Sequence, residues 1–246
     1  MCGVCWSDVA VALDLVLFDL DGTLLDTAPE IADATNDTLQ AMDLPGVDDA
    51  SIRQWIGHGA MQLLAKALGH GWGVTPDAAV QDRRWADAQV IFRQAYQRRC
   101  GTRSTFYDGV QATLQGLARH GVPMAVVTNK EADFANRVLQ AHGLMEMFSA
   151  MVGGDTLPTK KPDPSGVQQL MRQHQARAGY TVFVGDSVVD AQTARAAGIA
   201  CWLVPYGYNA GVDVRQAGAD RVVANLTALL PLAETAGAPL LLGPEQ

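Results

Sequence analysis

The sequence predicts an α/β fold, a doubly wound parallel sheet into which a helical domain is inserted. Three observations predict it. Short apolar runs recur along the chain and are continuous rather than alternating, which is typical of parallel strands covered on both faces. Helical patterns alternate with these runs, as in sheets built from strand–helix–strand units. About a hundred residues between the first run and the second carry only helical signals, which indicates an insertion.

The predicted strands are five short apolar runs, most of them rich in β-branched residues. They cover residues 13–18, 122–127, 181–184, 200–204 and 221–224, with a weaker candidate at 150–152. Helices are predicted at 108–120, 131–142, 163–177 and 188–197. Gly121, Gly143 and Gly198 follow three of these helices, and a glycine at that position supplies the left-handed residue that ends a helix.

The insertion contains three predicted helical stretches. Thr27 and Glu30 form a capping-box pattern at the start of the first. The second begins near Ser51 and is interrupted by Gly57-His58-Gly59 before it resumes. The third is a single long helix that Thr75-Pro76 opens and that continues to about residue 99.

We therefore expect two domains and two tails. Residues 12–26 and 104–230 would form a discontinuous α/β core, and residues 27–103 the helical domain. Residues 1–11 and 231–246 would be loosely attached. Cys2 and Cys5 lie in the first tail, where a zinc or redox site is the alternative to a loose, reduced segment.

The composition excludes several classes of protein. Of 246 residues, 48% are apolar and 18% charged, which is ordinary globular usage and not that of a disordered or collagen-like chain. The net charge of -8, without a basic run, argues against general nucleic-acid or anionic-membrane binding. No apolar run approaches the ~20 residues that span a bilayer. Four scattered cysteines and no signal-peptide pattern lead us to expect a cytoplasmic protein.

Carboxylates follow two of the predicted strands at the point where each strand ends. Asp19 and Asp21 come after the first strand, and Asp186 and Asp190 follow the strand at 181–184. The carboxyl ends of parallel strands meet at one edge, where ligands bind. Gathered carboxylates repel unless a cation joins them, and hard oxygen ligands suit Mg2+ with phosphate as co-ligand. A polar turn at Asp19 or a capping box between Ser187 and Asp190 is the structural alternative for each pair alone.

Other polar groups follow the remaining strand ends. Thr128 offers a hydroxyl and nearby backbone N–H groups that bind phosphate without adding charge, and a helix N-cap is its alternative role. Lys161 precedes a proline and is expected on an extended stretch. Its ammonium would neutralise both a phosphoryl oxygen and an aspartate, and Lys160 is the alternative if the register is shifted by one.

Four motifs resemble those of the haloacid dehalogenase-like hydrolase superfamily, in the same order and at similar spacing. They are Asp19-Leu-Asp-Gly-Thr-Leu24, Val-Val-Thr128-Asn129-Lys130, Lys161-Pro-Asp-Pro164 and Gly185-Asp-Ser-Val-Val-Asp190. The resemblance covers about residues 13–230. It implies a Rossmann-like core, and the inserted helices resemble the superfamily's cap, between the first two motifs.

The same resemblance implies roles for the motif residues. Asp19 would be the nucleophile that forms an aspartyl-phosphate, and Asp21 the acid–base group. Mg2+ would be bound by the Asp19 carboxylate, the Asp21 backbone carbonyl and Asp186. Asp190 would support the metal shell or Lys161.

Phosphate and substrate binding would involve two further groups of residues. Thr128 and Lys161, with Asn129 nearby, would hold the phosphoryl oxygens. The Gly57-His58-Gly59 break would bring a loop of the cap toward the substrate, with a plain helix–helix turn as the alternative. Arg53 or His58 would meet a substrate carboxylate, and nothing in the sequence decides between them.

Finer features resemble the bacterial phosphoglycolate phosphatase group of that superfamily. They are Trp55-Ile-Gly57-His-Gly59-Ala, Phe106-Tyr-Asp-Gly-Val110, Val152-Gly-Gly-Asp-Thr156, Lys160-Lys-Pro-Asp-Pro164 and Tyr206-Gly-Tyr-Asn209. Asp108 stands where that group usually has proline, and Ser165-Gly166 and Val188-Val189 also depart from its pattern, which bears on the substrate more than on the reaction.

The resemblance thus implies an enzyme that acts on a small phosphorylated metabolite as a monomer or homodimer. 2-Phosphoglycolate leads, and a sugar phosphate, N-acetylmuramate 6-phosphate or a nucleoside monophosphate remain open. A β-phosphoglucomutase-like phosphomutase is the alternative reaction, and dehalogenation is disfavoured because Asp21 is present. A phosphorylation-responsive binding module is the alternative from a different class.

Overall fold

A six-stranded parallel sheet forms the centre of the fold in the computed structural model, which describes residues 13–209 and 211–234. Its strands and two further short strands are, in chain order, β1 (Leu15–Phe18), β2 (Leu25–Asp26), β3 (Thr105–Phe106), β4 (Met124–Val127), β5 (Ala150–Val152), β6 (Thr181–Gly185), β7 (Ala200–Leu203) and β8 (Arg221–Val222). The order across the sheet is β5-β4-β1-β6-β7-β8, while β2 and β3 form a small antiparallel ribbon. The predicted parallel sheet is confirmed, including the weak candidate at 150–152.

Helices cover the sheet and form the insertion. They are α1 (Ala28–Ala41), α2 (Asp49–Trp55), α3 (Ala60–Trp72), α4 (Pro76–Gln81), α5 (Trp85–Arg99), α6 (Val110–Arg119), α7 (Ala132–Ala141), α8 (Ser165–His174), α9 (Val188–Ala197) and α10 (Leu230–Glu234). Among the residues that the structure describes, no helix is both long enough and apolar enough to cross a membrane.

The central strand β1 explains why the strand sequences are continuously apolar. Val16 and Phe18 point into a hydrophobic cluster on one face of the sheet, and Leu15 and Leu17 into another cluster on the opposite face. All four side chains are fully buried. Because successive residues of a strand alternate between faces, a strand that is covered on both sides needs an apolar residue at every position.

Helices α1 to α5 pack around a hydrophobic cluster of their own. The largest fully buried side chains that the insertion contributes are Phe92 and Tyr96 of α5, in one cluster with aliphatic residues of α1 and α3. Phe134 and Tyr208, which come from the sheet part of the chain, belong to the same cluster. The insertion therefore packs directly on the sheet domain, next to the carboxyl ends of the strands.

The predicted capping box at the start of α1 is wrong. The Thr27 side chain makes no cap bond to the helix and instead donates a hydrogen bond to Asp21 Oδ1 at 2.7 Å. Glu30 is fully buried, and its Oε2 accepts from the backbone N–H groups of Gly101, Arg103 and Ser104. Thr27 thus bonds where the chain passes from the sheet domain into the insertion, and Glu30 bonds at the second crossing, where the chain returns to the sheet domain. A local sequence pattern does not reveal such contacts.

Two further sequence predictions are corrected. The single long helix from Thr75 is interrupted between α4 and α5, because Asp82 is extended and accepts from the backbone N–H and the guanidinium of Arg84. Residues 231–234 are not a loose tail, since they continue α10 and Ala233 is buried against the sheet domain. Cys2, Cys5 and residues 235–246 lie outside the described residues.

Candidate active site

Asp19 and Asp21 lie where β1 ends at the centre of the sheet. Asp19 is 7% exposed, and its backbone N–H still bonds to Val184 of the neighbouring strand at 2.9 Å. The chain then turns at Gly22, whose φ of +87 disfavours any other residue. A Cβ at Gly22 would also lie 2.3 Å from Asp186 Oδ2. Glycine thus allows the two strand-end loops to approach.

Three buried carboxylates meet at this edge. Asp19, Asp186 and Asp190 each offer an oxygen, and these oxygens lie within 4.8 Å of one another. Burial raises the pKa of Asp19 to about 7 although Lys161 opposes it, and burial with the charges of Asp190 and Asp19 raises the pKa of Asp186 well above its usual value. Burial and neighbouring negative charge therefore disfavour the ionised forms of Asp19 and Asp186.

Lys161 places a positive charge inside the carboxylate cluster. Its Nζ lies 2.8 Å from Asp19 Oδ1 and 2.7 Å from Asp190 Oδ1. The contact with Asp19 is an ion pair without a well-directed hydrogen bond to that oxygen. Burial by itself lowers the pKa of Lys161, but the two carboxylates outweigh it and raise the pKa above its usual value. Lys160, the alternative from the sequence, is exposed and donates to the carbonyl of His58 instead.

Asp190 has a second set of contacts that fixes its position. Its Oδ2 accepts from Ser187 Oγ at 2.6 Å and from the backbone N–H of Asp186 and Ser187, while Ser187 caps α9. The capping box and the contact with Lys161 therefore coexist. Since Asp190 is fully buried and both oxygens have partners, it supports Lys161 and the Asp186 loop rather than presenting a free ligand.

The Asp21 carboxylate is not one of the three that meet in this cluster. It accepts from Thr27 Oγ1 at 2.7 Å and from Lys130 Nζ at 2.8 and 3.1 Å. Burial by itself lowers the pKa of Lys130, but the Asp21 charge outweighs it and raises the pKa. The structure thus does not place the Asp21 side chain with the other three carboxylates.

Thr128 and Asn129 follow β4 and face the same edge. Thr128 is 3% exposed, and its Oγ1 accepts from the backbone N–H of Lys130 at 3.2 Å. Asn129 Nδ2 donates to the carbonyls of Gly57 and Lys161, both at 3.1 Å, whereas its buried Oδ1 has no partner. Asn129 therefore joins the insertion to the acidic edge of the sheet.

A small cavity of about 40 Å³ lies between the insertion and the sheet edge. From the sheet side it is lined by Asp19, Asp21, Thr128, Asn129 and Lys130. From the insertion it is lined by Gly57, Gly59 and Ala60, and by aliphatic and aromatic side chains of α1, α3 and α5. The glycine break is thus a loop over the cavity, but the His58 side chain is not part of the lining.

This arrangement matches a known family of enzymes. The family described as haloacid dehalogenase-like hydrolase matches residues 16–204, which is most of the chain. The chain belongs to the haloacid dehalogenase-like hydrolases. The chain is therefore an enzyme, and its family core carries the buried acidic edge described above.

Relatives of this hydrolase show which branch of the family it resembles. It is 37% identical over 219 residues to a phosphoglycolate phosphatase of Vibrio cholerae, covering 89% of this chain and 96% of the relative. It is 38% identical to a phosphoglycolate phosphatase of Pseudomonas syringae, covering 88% and 78%. The crystal structure of a predicted phosphoglycolate phosphatase from Haemophilus somnus superposes with a TM-score of 0.82 at 30% identity, covering 89% and 97%.

Contacts in this hydrolase that the sequence did not reveal connect the insertion to the acidic edge. Arg53 forms a two-bond ion pair with Asp26, and Asp26 Oδ1 accepts from Tyr208 OH at 2.5 Å. The backbone N–H of Tyr208 donates to Asp186 Oδ2. Arg53 is thereby committed to Asp26 and does not line the cavity, so neither Arg53 nor His58 is placed there as a carboxylate reader.

The acidic edge fits a divalent cation of the kind that this hydrolase family uses. Asp19 Oδ1 is buried without a hydrogen-bond donor, and Asp186 has only one donor on each oxygen, from Thr23 and Tyr208. Buried carboxylate oxygens that have lone pairs to spare suit Mg2+, which accepts one or two carboxylates and keeps room for water and phosphate. Asp19 and Asp186 are the side chains with oxygens to offer.

Proposed function

We propose that this hydrolase cleaves phosphate monoesters with Mg2+ and through an aspartyl-phosphate on Asp19. The observation that carries the proposal is the meeting of Asp19, Thr128, Lys161 and Asp186 at one buried sheet edge, beside a cavity. A carboxylate nucleophile, a hydroxyl, an ammonium and a metal-binding carboxylate are the groups that phosphoryl transfer needs.

In the first step, Asp19 attacks the phosphorus of the ester. A bond forms from its carboxylate oxygen to phosphorus as the bond to the leaving alcohol oxygen breaks, and Asp21 gives that oxygen a proton. Thr128 and Lys161 hold the phosphoryl oxygens and stabilise the charge that gathers on them. Asp19, the Asp21 backbone carbonyl and Asp186 would hold Mg2+, which when bound neutralises charge between the nucleophile and the phosphate.

In the second step, a water molecule attacks the phosphorus of the aspartyl-phosphate. Asp21, now a carboxylate, takes a proton from this water, and the bond between Asp19 and phosphorus breaks. Inorganic phosphate leaves and both carboxylates regain their starting states. The insertion acts as a cap that keeps other water out, and Gly57 and Gly59 of its loop line the cavity over the sheet edge.

The leading substrate is 2-phosphoglycolate. The names of the relatives support it. We further propose that residues 12–26 and 104–230 are the catalytic core and residues 27–103 the cap. The enzyme would act in the cytoplasm on a free metabolite, as a monomer or homodimer.

A panel of phosphate monoesters tests this function. Purified enzyme with Mg2+ is expected to release phosphate from 2-phosphoglycolate with a higher kcat/KM than from glucose 6-phosphate, N-acetylmuramate 6-phosphate or a nucleoside monophosphate. EDTA is expected to remove the activity and added Mg2+ to restore it. A sugar phosphate at the top of the ranking would overturn the substrate, a need for a bisphosphate activator would indicate a mutase, and a stable phosphoprotein without turnover would indicate a binding module.

A further inference from the structure

Lys130 is a buried cation at the cavity to which the proposed mechanism gives no task. Only 3% of its side chain is exposed. Its Nζ contacts both oxygens of Asp21 and lies 4.9 Å from the centre of the Tyr96 ring. Lys130 also lines the cavity together with Asp19 and Thr128, so a ligand bound there meets it.

The ion pair between Lys130 and Asp21 conflicts with the acid–base role of Asp21. The Asp21 carboxylate is held by the Lys130 ammonium and by the Thr27 hydroxyl, and it is not part of the cluster that contains Asp19. To give a proton to the leaving oxygen, Asp21 has to leave Lys130. A buried ammonium without a counter-ion is strongly unfavourable, so this exchange requires another anion for Lys130.

Among the described residues, the carboxylates other than Asp21 that act on Lys130 or lie at the sheet edge are held in other contacts. Glu30 is the other carboxylate whose charge acts on Lys130. Its Oε2 is held by three backbone N–H groups that close the second crossing to the sheet domain, and its Oε1, which has no hydrogen-bond partner, forms no ion pair with Lys130. Asp19 and Asp190 are paired with Lys161. The replacing anion is therefore best supplied by the ligand.

We propose that Lys130 is the specificity residue that binds a carboxylate on the leaving alcohol of the substrate, and that this contact frees Asp21 for proton transfer. The inference rests on the proposed phosphatase function and deepens it. A substrate with a second anion near the phosphate replaces Asp21 at Lys130, whereas a neutral ester leaves the ion pair in place. Recognition of the substrate and release of the acid–base group are then one event.

The surroundings of the cavity support this assignment. Among the described residues that line it, Lys130 is the one cationic side chain. Lys161 is held by two aspartates, Lys160 bonds to the His58 carbonyl, and Arg53 pairs with Asp26. Gly59 and Ala60, at the uncapped start of the 13-residue helix α3, line the same cavity, so its free N–H groups add to the attraction for an anion.

The test compares two esters that differ only in the second anion. 2-Phosphoglycolate carries a carboxylate where 2-hydroxyethyl phosphate carries a neutral alcohol. With Mg2+, the unmodified enzyme is expected to prefer 2-phosphoglycolate in kcat/KM. Lys130→Met is expected to lower kcat/KM for 2-phosphoglycolate by about 10- to 100-fold, the worth of a charge-assisted bond, and to bring the ratio of the two esters close to one. Lys130→Gln, which keeps a donor for Asp21 and therefore its packing, is expected to do the same.

Lys160→Met is the matched control, because this lysine is nearby but does not line the cavity, and the ratio is expected to stay as in the unmodified enzyme. Calorimetry on Asp19→Asn and on Asp19→Asn/Lys130→Gln measures the affinity for each ester without turnover. The ratio of the two affinities is expected to show the same preference in the first variant and to lose it in the second. Retention of the preference after either Lys130 change, or its absence in the unmodified enzyme, overturns the inference while hydrolysis stands. Absence of Mg2+-dependent hydrolysis of both esters by the unmodified enzyme overturns the proposed function itself.

Discussion

Asp19→Asn is expected to abolish turnover and to leave a folded protein. An amide does not form an acyl phosphate, and hydrolysis of phosphate monoesters in water is so slow that enzymes accelerate it by up to ~10²¹, so little activity survives without the nucleophile. The fold should tolerate the change, since asparagine has nearly the same shape and Asp19 is a buried carboxylate whose pKa is raised to about 7. Phosphate release under Mg2+ and thermal unfolding measure the two effects.

Asp14→Asn provides the comparison for this variant. Asp14 lies at the opposite end of β1, where it pairs with Arg177 on the surface. The change also replaces a carboxylate by an amide, but Asp14 does not line the cavity, so kcat/KM is expected to stay within a factor of about two. Stability is expected to change little, because exposed ion pairs contribute little to it. Substantial Mg2+-dependent activity in Asp19→Asn would remove Asp19 from the mechanism.

Lys161→Met is expected to reduce both activity and stability. Asp19 and Asp190 would lose the ammonium that both contact, and removal of one partner of a buried ion pair costs about 3–5 kcal/mol. The transferred phosphoryl group would lose a cation, which we expect to lower kcat/KM by at least ~100-fold. Urea denaturation and steady-state kinetics measure these losses.

Lys160→Met separates the two adjacent lysines. Lys160 is exposed and donates to a cap-loop carbonyl, so its loss is expected to cost under about 1 kcal/mol and to leave most of the activity. If Lys160→Met were inactive and Lys161→Met active, the motif register taken from the sequence would be wrong by one residue.

The sheet and its acidic edge could be predicted because each rests on a local signal. Leu15 to Phe18 are apolar at every position, as a strand covered on both faces must be, and Asp19 follows directly. Once parallel strands are inferred, their carboxyl ends must share an edge, which brings Asp186 to Asp19 without any knowledge of distances. The capping box of Ser187 and Asp190 was readable for the same reason, since its partners are three residues apart.

The contacts that join the insertion to the sheet domain could not be predicted in this way. Thr27 and Glu30 fit the local capping rule, yet tertiary partners outcompete it: Thr27 bonds to Asp21, and Glu30 to amides more than seventy positions later. Asp21 and Lys130 are 109 positions apart in the chain. The one available signal was composition, since lysine is scarce in this chain and Lys130 adjoins a motif.

The antiparallel ribbon of β2 and β3 was not predicted from the sequence for a related reason. β2 and β3 are too short to show a period, and their pairing of Leu25 with Phe106 is set by where the chain leaves and re-enters the sheet domain. The break before α5 depends on one aspartate that bonds to Arg84 in place of continuing the helix. Such choices are decided by side-chain partners rather than by hydrophobic periodicity.

Chemical trapping of the phosphorylated enzyme tests the nucleophile most directly. Enzyme turning over 2-phosphoglycolate with Mg2+ is quenched in acid and treated with borohydride, which reduces an aspartyl-phosphate to homoserine, and the peptides are sequenced by mass spectrometry. We predict homoserine at position 19, dependent on substrate, and none in Asp19→Asn. Homoserine at Asp21 or another aspartate, or active enzyme that yields none at any position, would contradict an aspartyl-phosphate on Asp19.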